Sequence, residues 1–385
     1  MQDIERISNK EKKYIEEVLS NNFRTSSGNS MNSKLEKAFS KLYGTDYAIT
    51  FINGTTTMHA TLLAAGIGEG DEVIVPPLTM ASTTFAVLNA GAIPIYADVD
   101  EETFQINPKS ILEKLTKKTK AIITVALYGL SPEMDEIMAI AKINDLFVLE
   151  DNAETMLSYY KGKLAGTLGH AASFSFQSSK HLTAGEGGII ITNDEKLALD
   201  IRRISSLGYS GVSSDKGKIT KNDIQLPNYS RHVSTGFNFR MPELCAAVVL
   251  GQLERVNELV DRRIEVASLF LEILSKVKWL LPQKTPDYSI NSYWTLVARL
   301  KHPSIDWMTF RDKFQKLGGD GIYAPWKLTY QEPFYKDLKE KEQNPSCPVA
   351  ESLQTSLLQF KTNYWKWDEA KRQAEILKKT IDFFD

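Results

Sequence analysis

The chain has 385 residues, which is long for one domain and suggests two or three, or a large α/β domain with a smaller one. Hydrophobic residues make up 42% and charged residues 24%, near the average for globular proteins, and no run approaches the roughly 18 apolar residues of a membrane span. The formal net charge is -2 with basic residues spread along the chain, so we expect neither nucleic acid nor a membrane as a partner.

The N-terminus, MQDIERISNKEKKYIEEVL, has the pattern of a charged amphipathic helix rather than of a secretory signal, so we expect a cytoplasmic protein. The only cysteines, Cys245 and Cys347, lie outside any CxxC spacing, and the five histidines share no metal-ligand spacing. The sequence therefore predicts no disulfide framework and no metal site, and we expect one of the two thiols to be buried.

Between about Tyr47 and Asp194, short β-branched runs alternate with helix-length segments. The runs include DEVIVPP, IPIYADV, AIITVALYG and FVLED, and the helical segments include TTFAVLNAGA and MDEIMAIAKINDL. This alternation predicts a mostly parallel sheet covered by helices on both faces. Ligands of such sheets bind at the carboxyl ends of the strands, so the loops at those ends are the ones to search.

After Asp194 a basic helix, EKLALDIRRISSLG, precedes a polar stretch from Tyr209 to Thr235 that is long enough to be functional, mobile or held by a partner subunit. One long helix is predicted over residues 237–277, with Pro242 in its first turn. A strand SYWTLVARL and helices WMTFRDKFQKL and EAKRQAEILKKTIDFF follow. We expect a large α/β domain over residues 1–255 and a small α+β domain over residues 256–385.

Three stretches place reactive groups at strand ends, and the first is FINGTTTMHA. Gly54 and the threonines Thr55, Thr56 and Thr57 open a helix after a short apolar run. Free N–H groups and hydroxyls at such a turn form an anion site, for which phosphate is the natural ligand. A plain helix N-cap explains the same residues.

The second stretch is FVLEDNAETM, where an apolar strand ends in Glu150 and Asp151, with Glu154 three residues later. A carboxylate at this place lies where ligands bind, and beside a pyridine nitrogen it would keep that ring protonated. A solvated strand end is the alternative interpretation.

The third stretch is FSFQSSKHLTAGEGG, in which Lys180 stands between runs that resemble buried β structure. A partly desolvated lysine acts as a nucleophilic amine and as a general base, and the glycines let the backbone pass close to a ligand. The alternative is a surface lysine in a polar turn. Taken together, a phosphate cradle, an acid for a ring nitrogen and an amine for an aldehyde are what pyridoxal 5′-phosphate requires.

Nearly the whole chain resembles the DegT/DnrJ/StrS family of aminotransferases, whose members mostly aminate keto-sugars linked to nucleotides. The likeness lies in TSSGNSMNSKLEKAFSKLYG, NGTTTMHATLLAAGIGEGDEVIVPPLT, DVDEETFQINP, EDNAE, SFSFQSSKHLTAGEGG, GFNFRMPELCAAVVLGQL and CPVAESL. The resemblance implies an aspartate aminotransferase-like α/β fold of fold type I with a smaller C-terminal α+β domain. It also implies a homodimer with shared active sites.

The resemblance assigns roles residue by residue. Lys180 would bond to the cofactor and shuttle a proton, Asp151 would pair with the ring nitrogen, and Asn238 would reach the phosphate from the other subunit. Gly54, Thr55, Thr56 and Ser175 would hold the phosphate. Glu154 stands where many relatives have glutamine, and perosamine synthases, which act on a GDP-linked 4-keto sugar, resemble this chain in having glutamate.

The sequence also departs from the family pattern. Met80 replaces an aromatic residue that stacks on the cofactor ring, and Ala126 stands where many relatives have histidine. Trp326 and Lys327 replace a histidine-bearing PPLH. Sugar 3-dehydratases of the family have histidine in place of the lysine, so Lys180 disfavours dehydration.

The sequence thus predicts an aminotransferase that moves an amino group from L-glutamate to a nucleotide-linked keto-deoxysugar. Two alternatives stay open: the same chemistry on a cyclitol ketone or small phosphorylated ketone, and a non-catalytic regulator that binds pyridoxal phosphate. The candidate substrate contacts are Ser27, Arg231, His232, Tyr323, Trp326 and Lys327.

Overall fold

The structure is a computed structural model that describes residues 2–25, 30–214, 225, 227–323, 327–339, 341–342 and 344–385. Its α-helices are α1 (Asn9–Ser20), α2 (Met31–Tyr43), α3 (Gly54–Ala64), α4 (Ala81–Asn89), α5 (Pro108–Lys114), α6 (Met134–Asn144), α7 (Glu195–Ser205), α8 (Glu243–Leu253), α9 (Val256–Leu274), α10 (Trp307–Lys316), α11 (Pro333–Lys336), α12 (Pro348–Gln354) and α13 (Trp367–Phe384). Its strands are β1 (Tyr47–Phe51), β2 (Glu72–Val75), β3 (Ile93–Tyr96), β4 (Thr119–Val125), β5 (Phe147–Asp151), β6 (Tyr159–Tyr160), β7 (Lys163–Leu164), β8 (Ala171–Ser175), β9 (Gly188–Thr192), β10 (Leu280–Pro282), β11 (Ser289–Ile290), β12 (Thr295–Leu300) and β13 (Leu357–Lys361).

The large sheet has the strand order β1-β9-β8-β5-β4-β2-β3. Strand β9 runs antiparallel to both of its neighbours, and the remaining neighbouring pairs are parallel. The reversed strand follows from its connection, because β8 reaches β9 through a loop without a crossover helix. The predicted mostly parallel sheet is confirmed, and the loop that turns the chain back is the one that carries Lys180.

Helices cover both faces of this sheet, which is why its strands are apolar at nearly every position. Val73 and Ile123 lie in the core on one face, whereas Ile74 and Ile122 lie in the core on the other face, where Ile137 of α6 packs. The alternation of neighbouring residues between two cores rigidly fixes the strands, and with them the loops at their carboxyl ends.

The C-terminal part of the chain forms a second, antiparallel sheet in the order β10-β12-β13. Its core contains Phe270 of α9, Phe310 of α10 and Leu377 of α13. A third small sheet, β11-β6-β7, joins this region to the loop after β5, because β11, which lies between β10 and β12 in the chain, pairs with β6. These elements include the predicted strand and both predicted helices of this region.

The single long helix predicted over residues 237–277 is wrong, because the structure has two helices there. Pro242 is the N-cap of α8, and α8 ends at Leu253, after which Arg255 leaves helical geometry (φ −124°, ψ 18°). The Arg255 side chain is buried between Glu11 and Glu258 and donates a hydrogen bond to the Glu5 carbonyl. The break between α8 and α9 is thus accompanied by the contacts of Arg255, and no glycine or proline marks it in the sequence. The division of the chain at residue 255 stays a prediction.

The N-terminal helix begins at Asn9 rather than at the first residues, because Ser8 and Glu11 form a capping box. Cys347 is buried and Cys245 is half-buried, and both are free thiols, as expected. Across the described ranges no helix is long and apolar enough to cross a membrane. The same residues contain no group of three or more His, Cys, Asp or Glu side chains that could hold a metal ion.

Candidate active site

The start of α3 and the end of β8 form one side of the candidate site. The side-chain oxygen of Asn53 accepts a hydrogen bond from the Thr56 N–H (2.9 Å), and the Thr56 hydroxyl donates to the Asn53 carbonyl (2.9 Å). Because the first N–H groups of a helix have no partner within it, those of Gly54 and Thr55 remain at the helix start. A Cβ on Gly54 would lie 3.1 Å from the Cβ of Ser175, so these N–H groups and the Ser175 hydroxyl share one corner.

The glycine-rich segment after Lys180 makes this corner sterically possible. Gly188 begins β9 and is paired with Phe51 on one side and Ser175 on the other. A Cβ on Gly188 would lie 2.6 Å from the Asn53 carbonyl carbon and 2.8 Å from the Gly54 nitrogen. The backbone of Gly188 therefore packs directly against the Asn53–Gly54 turn, where the phosphate is expected. A residue with a side chain would not fit there, which explains why the loop ends in glycine.

Asp151 is the last residue of β5 and is 3% exposed. Its carboxylate accepts hydrogen bonds from the Thr83 hydroxyl (2.9 Å) and from the Ala153 N–H (3.1 Å). Burial raises the pKa of Asp151, while these two donors and the charge of Lys180 oppose that rise. A cation placed against this carboxylate would relieve the desolvation, which is what a protonated ring nitrogen would do.

Glu150, the neighbouring carboxylate, points elsewhere and has a structural role. Adjacent residues of a strand face opposite sides of the sheet. The Glu150 carboxylate accepts hydrogen bonds from the N–H groups of Gly166 (2.7 Å), Leu168 (2.7 Å) and Gly169 (2.6 Å). It therefore holds the loop before β8, and only Asp151 of the pair belongs to the candidate site.

Lys180 extends its amine toward Glu154 and the indole of Trp294. The Lys180 Nζ lies 3.3 Å from the Glu154 Oε1 and 4.2 Å from the centroid of the Trp294 ring, and its side chain is 14% exposed. The other Glu154 oxygen accepts a hydrogen bond from the Tyr128 N–H (3.0 Å), at a residue with φ +65°. The amine is thus confined between an anion and an aromatic face.

Met80 and Asn238 are placed differently from the buried cluster. Met80 is 52% exposed and precedes α4, the helix whose first turn carries Thr83. Its position beside the Thr83 and Asp151 pair fits a cover for a ring, a role that stays a proposal. Asn238 is exposed and forms an antiparallel bridge with Ser206.

The candidate substrate contacts are spread over several segments. Tyr323 is exposed and pairs with Gln359, whose side-chain amide lies 3.5 Å from the Tyr128 hydroxyl. Lys327 is exposed and precedes a segment that is joined to the large sheet by a hydrogen bond from Thr329 to Pro77. Ser27 and Trp326 lie outside the described residues.

Arg231 and His232 contact the segment that follows α7. The His232 Nδ1–H donates a hydrogen bond to the Leu207 carbonyl (2.8 Å), and the ring packs against Tyr209. The Arg231 carbonyl accepts a hydrogen bond from the Ser210 N–H (3.0 Å). These contacts do not include the residues around Lys180. The part of the polar stretch at residues 215–224 and 226 lies outside the described residues.

Sequence reasoning missed Thr83, Tyr128 and Trp294. Thr83 lies in the first turn of α4, the helix that follows the carboxyl end of β2, so its place after a strand end offered a signal. Trp294 lies more than a hundred residues beyond Lys180, and its indole N–H donates to the Ser179 carbonyl (3.0 Å). No local pattern could have indicated that contact.

The sequence pattern of the DegT/DnrJ/EryC1/StrS aminotransferase family matches residues 5–364. The chain belongs to this family. Over 264 residues it is 40% identical to a GDP-perosamine synthase of Escherichia coli O157:H7, covering 69% of this chain and 68% of that protein. An aminotransferase of Psychrobacter cryohalolentis has a similar structure, with a TM-score of 0.88 at 28% identity over 100% of this chain and 99% of that one.

The structure of a dehydratase is also similar to that of this chain. It is the E. coli GDP-4-keto-6-deoxy-D-mannose-3-dehydratase with bound hydrated pyridoxal phosphate, at 25% identity and a TM-score of 0.84, with 98% of each chain covered. The predicted fold type and family are thus confirmed. The protein is a pyridoxal-phosphate-dependent aminotransferase.

The residues present fit pyridoxal phosphate. The buried, desolvated Asp151 suits a ring nitrogen, and the corner between Gly54 and Ser175 suits the phosphate. The charge of the Lys180 amine favours a lower pKa of Asp151, and the amine lies 3.3 Å from the Glu154 carboxylate, three residues beyond Asp151. When bound, the cofactor supplies an electron sink for the carbon that loses a proton.

Proposed function

We propose that this aminotransferase moves an amino group from L-glutamate to the keto group of a GDP-linked deoxysugar. The observation that carries the proposal is the Lys180 amine, confined 3.3 Å from Glu154 and close enough to the buried Asp151 for its charge to act on that group. Support for the acceptor comes from the 40% identity to a GDP-perosamine synthase. Transamination runs two half-reactions in turn at one site, and one lysine amine, here that of Lys180, serves both of them.

Each proposed role follows from a contact. Lys180 takes a proton from the donor's Cα and returns it on the cofactor side, because a lysine amine on a flexible stem can move between two carbons. Glu154 pairs with the Lys180 ammonium when the cofactor is absent, and Asp151 faces the ring nitrogen. The Gly54 and Thr55 N–H groups, together with Thr56 at the same turn and the Ser175 hydroxyl, bind the phosphate.

A dehydratase function is disfavoured because Lys180 stands where the family's sugar 3-dehydratases have histidine. An imidazole cannot bond to an aldehyde and be displaced by a donor amine as a lysine amine can. The remaining alternatives, a cyclitol or small phosphorylated ketone acceptor and a non-catalytic regulator, differ from the proposal in a measurable way. Only the proposed enzyme needs a tight site for a nucleoside diphosphate.

The test begins with the cofactor-loaded protein and L-glutamate. We expect the visible absorbance of the lysine-bound cofactor to disappear as 2-oxoglutarate forms, and a GDP-linked 4-keto-6-deoxysugar to restore it. Lys180→Ala is the control and should show neither change. Restoration by a small phosphorylated ketone, with no effect of GDP as a competitor, would favour the first alternative. No response to any amino donor would favour the regulator.

We further propose a homodimer in which Asn238 reaches the phosphate of the partner subunit. This proposal is supported by the exposed position of Asn238 and by the role that the family resemblance implies for it. Mixing Lys180→Ala subunits with Asn238→Ala subunits provides a sharp test, because a shared site predicts one intact site in each mixed dimer. Activity should rise on mixing above that of either variant alone. If Asn238 acts within its own subunit, mixing restores nothing.

Two further proposals concern the location of the protein and its division into domains. We propose a cytoplasmic location, supported by the free thiols of Cys245 and Cys347. We also propose that residues 1–255 and 256–385 form separate domains, supported by the helix break beside Arg255. Limited proteolysis should then cut preferentially around that break. Cutting within the large sheet region instead would count against the division.

A further inference from the structure

Three successive carbonyls at the catalytic lysine are held by two guanidinium groups. The Arg6 Nη2 donates hydrogen bonds to the carbonyls of Ser178 (2.9 Å) and Lys180 (2.9 Å). The Arg263 Nη2 donates to those of Ser179 (2.8 Å) and Lys180 (3.0 Å). Hydrogen bonds from a charged donor are about twice as strong as neutral ones. The peptide planes that lead into Lys180 are therefore fixed from two distant parts of the chain.

Arg263 is unusual because it is almost completely buried (1% exposed) among uncharged acceptors. Its other terminal nitrogen, Nη1, donates hydrogen bonds to the Trp294 carbonyl (2.6 Å) and the Thr362 hydroxyl (3.5 Å). Burial and the charge of Arg6 lower the pKa of Arg263 to about 9, so it stays charged at pH 7. A buried charge without a paired anion destabilises a fold unless its hydrogen bonds compensate. Stability alone therefore gives no reason for an arginine here.

The same guanidinium also fixes the aromatic wall of the site. It holds the Trp294 carbonyl, while the Trp294 indole N–H donates to the Ser179 carbonyl (3.0 Å). The Trp294 ring in turn covers the Lys180 amine at 4.2 Å. One charged group thus ties together the backbone of the lysine and the surface on which its amine rests.

We propose that Arg263 is a positioning residue that sets the Lys180 amine between Glu154 and Trp294. Reacting groups must be held within about 0.5 Å of their productive positions, and a planar fork that grips three carbonyls supplies that rigidity. The inference rests on the proposed role of Lys180. It adds a second residue of the C-terminal region, beside Trp294, to a site whose other residues lie at the strand ends and loops of the large sheet.

Arg262, the preceding residue of α9, is a matched control. It is 3% exposed and, like Arg263, donates to main-chain carbonyls, namely those of Trp365 (2.9 Å) and Gln2. It also pairs with Glu265 (3.2 Å). Its contacts thus hold the N-terminal segment and not the lysine loop, so Arg262→Met reproduces the loss of a buried guanidinium without the proposed effect.

The test measures how fast Lys180 reacts with a small acylating reagent in cofactor-free protein, by mass spectrometry of its peptide. In Arg263→Met we expect Lys180 to react about fivefold faster than in the wild type. This is the change expected if the displaced amine loses its weak ion pair with Glu154. Arg262→Met should react at the wild-type rate. Arg263→Lys, which keeps the charge but not the fork, should lie between the two and serves if Arg263→Met does not fold.

A second readout is the pH midpoint of the visible absorbance after pyridoxal phosphate is added, which should shift in Arg263→Met and not in Arg262→Met. Wild-type labelling in both Arg263 variants, or equal acceleration in Arg262→Met, would overturn the proposal. Failure of the proposed function is recognised separately. In that case borohydride would fix the cofactor on a lysine other than Lys180, while the labelling of Lys180 would still report on the Arg263 contacts.

Discussion

A substitution at Gly188 perturbs the phosphate corner without replacing any residue that is proposed to bind the phosphate. In Gly188→Ala the new Cβ would lie 2.6 Å from the Asn53 carbonyl carbon, whereas ordinary contacts begin at 3.4 Å. The Asn53 to Gly54 backbone must therefore move by about 0.8 Å, since the atoms that meet are all main-chain atoms. We expect a loss of about 1–3 kcal/mol in the free energy of unfolding from this overpacking.

The same shift would lengthen hydrogen bonds from the Gly54 and Thr55 N–H groups to a phosphate from about 2.9 Å to more than 3.5 Å. Loss of one bond to a charged acceptor costs about 1.5–3 kcal/mol, so the Kd for pyridoxal phosphate should rise by roughly 10- to 100-fold. The assay is titration of cofactor-free protein, followed by absorbance. Gly68→Ala is the control, because its Cβ would meet only the Ala90 carbonyl at 3.6 Å. An unchanged Kd in a folded Gly188→Ala protein would refute the placement of the phosphate.

Two further predictions concern buried polar groups. Glu150→Gln replaces a carboxylate oxygen that accepts a hydrogen bond from a backbone N–H by an amide donor. It should lower the free energy of unfolding, measured in urea, by about 1–3 kcal/mol and leave the Kd for the cofactor unchanged. Loss of cofactor binding with unchanged stability would contradict the structural role of Glu150. Burial holds the pKa of His181 well below its usual value, so the unfolded chain binds the extra proton first and the wild type should lose stability as the pH falls below about 6.5. His181→Gln should weaken that pH dependence in the cofactor-free protein. Equal slopes in the wild type and in His181→Gln would rule out the contribution of His181.

The sheet and its catalytic edge could be predicted because their signals are local. Strands buried on both faces give unbroken apolar runs, and the runs of β5 and β8 end at the site residues Asp151 and Ser175. The glycines after Lys180 likewise indicated a close backbone approach, although the structure places that approach against Asn53 and Gly54. Resemblance to a family then supplied the cofactor, which composition alone could not identify.

The contacts that complete the site depend on distant parts of the chain and give no local signal. Arg263 and Trp294 reach the lysine loop from 84 and 115 residues away, measured to Ser179. The break at Arg255 also gives no local signal, because it is accompanied by contacts with Glu11 of α1 and with Glu5 before α1, and by no glycine or proline. By contrast, the opposite orientations of Glu150 and Asp151 follow from strand geometry and could have been inferred from the sequence.

The central claim is that Lys180 is the residue to which pyridoxal phosphate bonds. The most direct measurement is reduction of the cofactor-loaded protein with borohydride, followed by peptide mass spectrometry. We expect the cofactor's mass to be fixed on Lys180 in the wild type and on no residue in Lys180→Ala. Recovery of the cofactor on another lysine of the wild type, or its complete release after reduction, would contradict it.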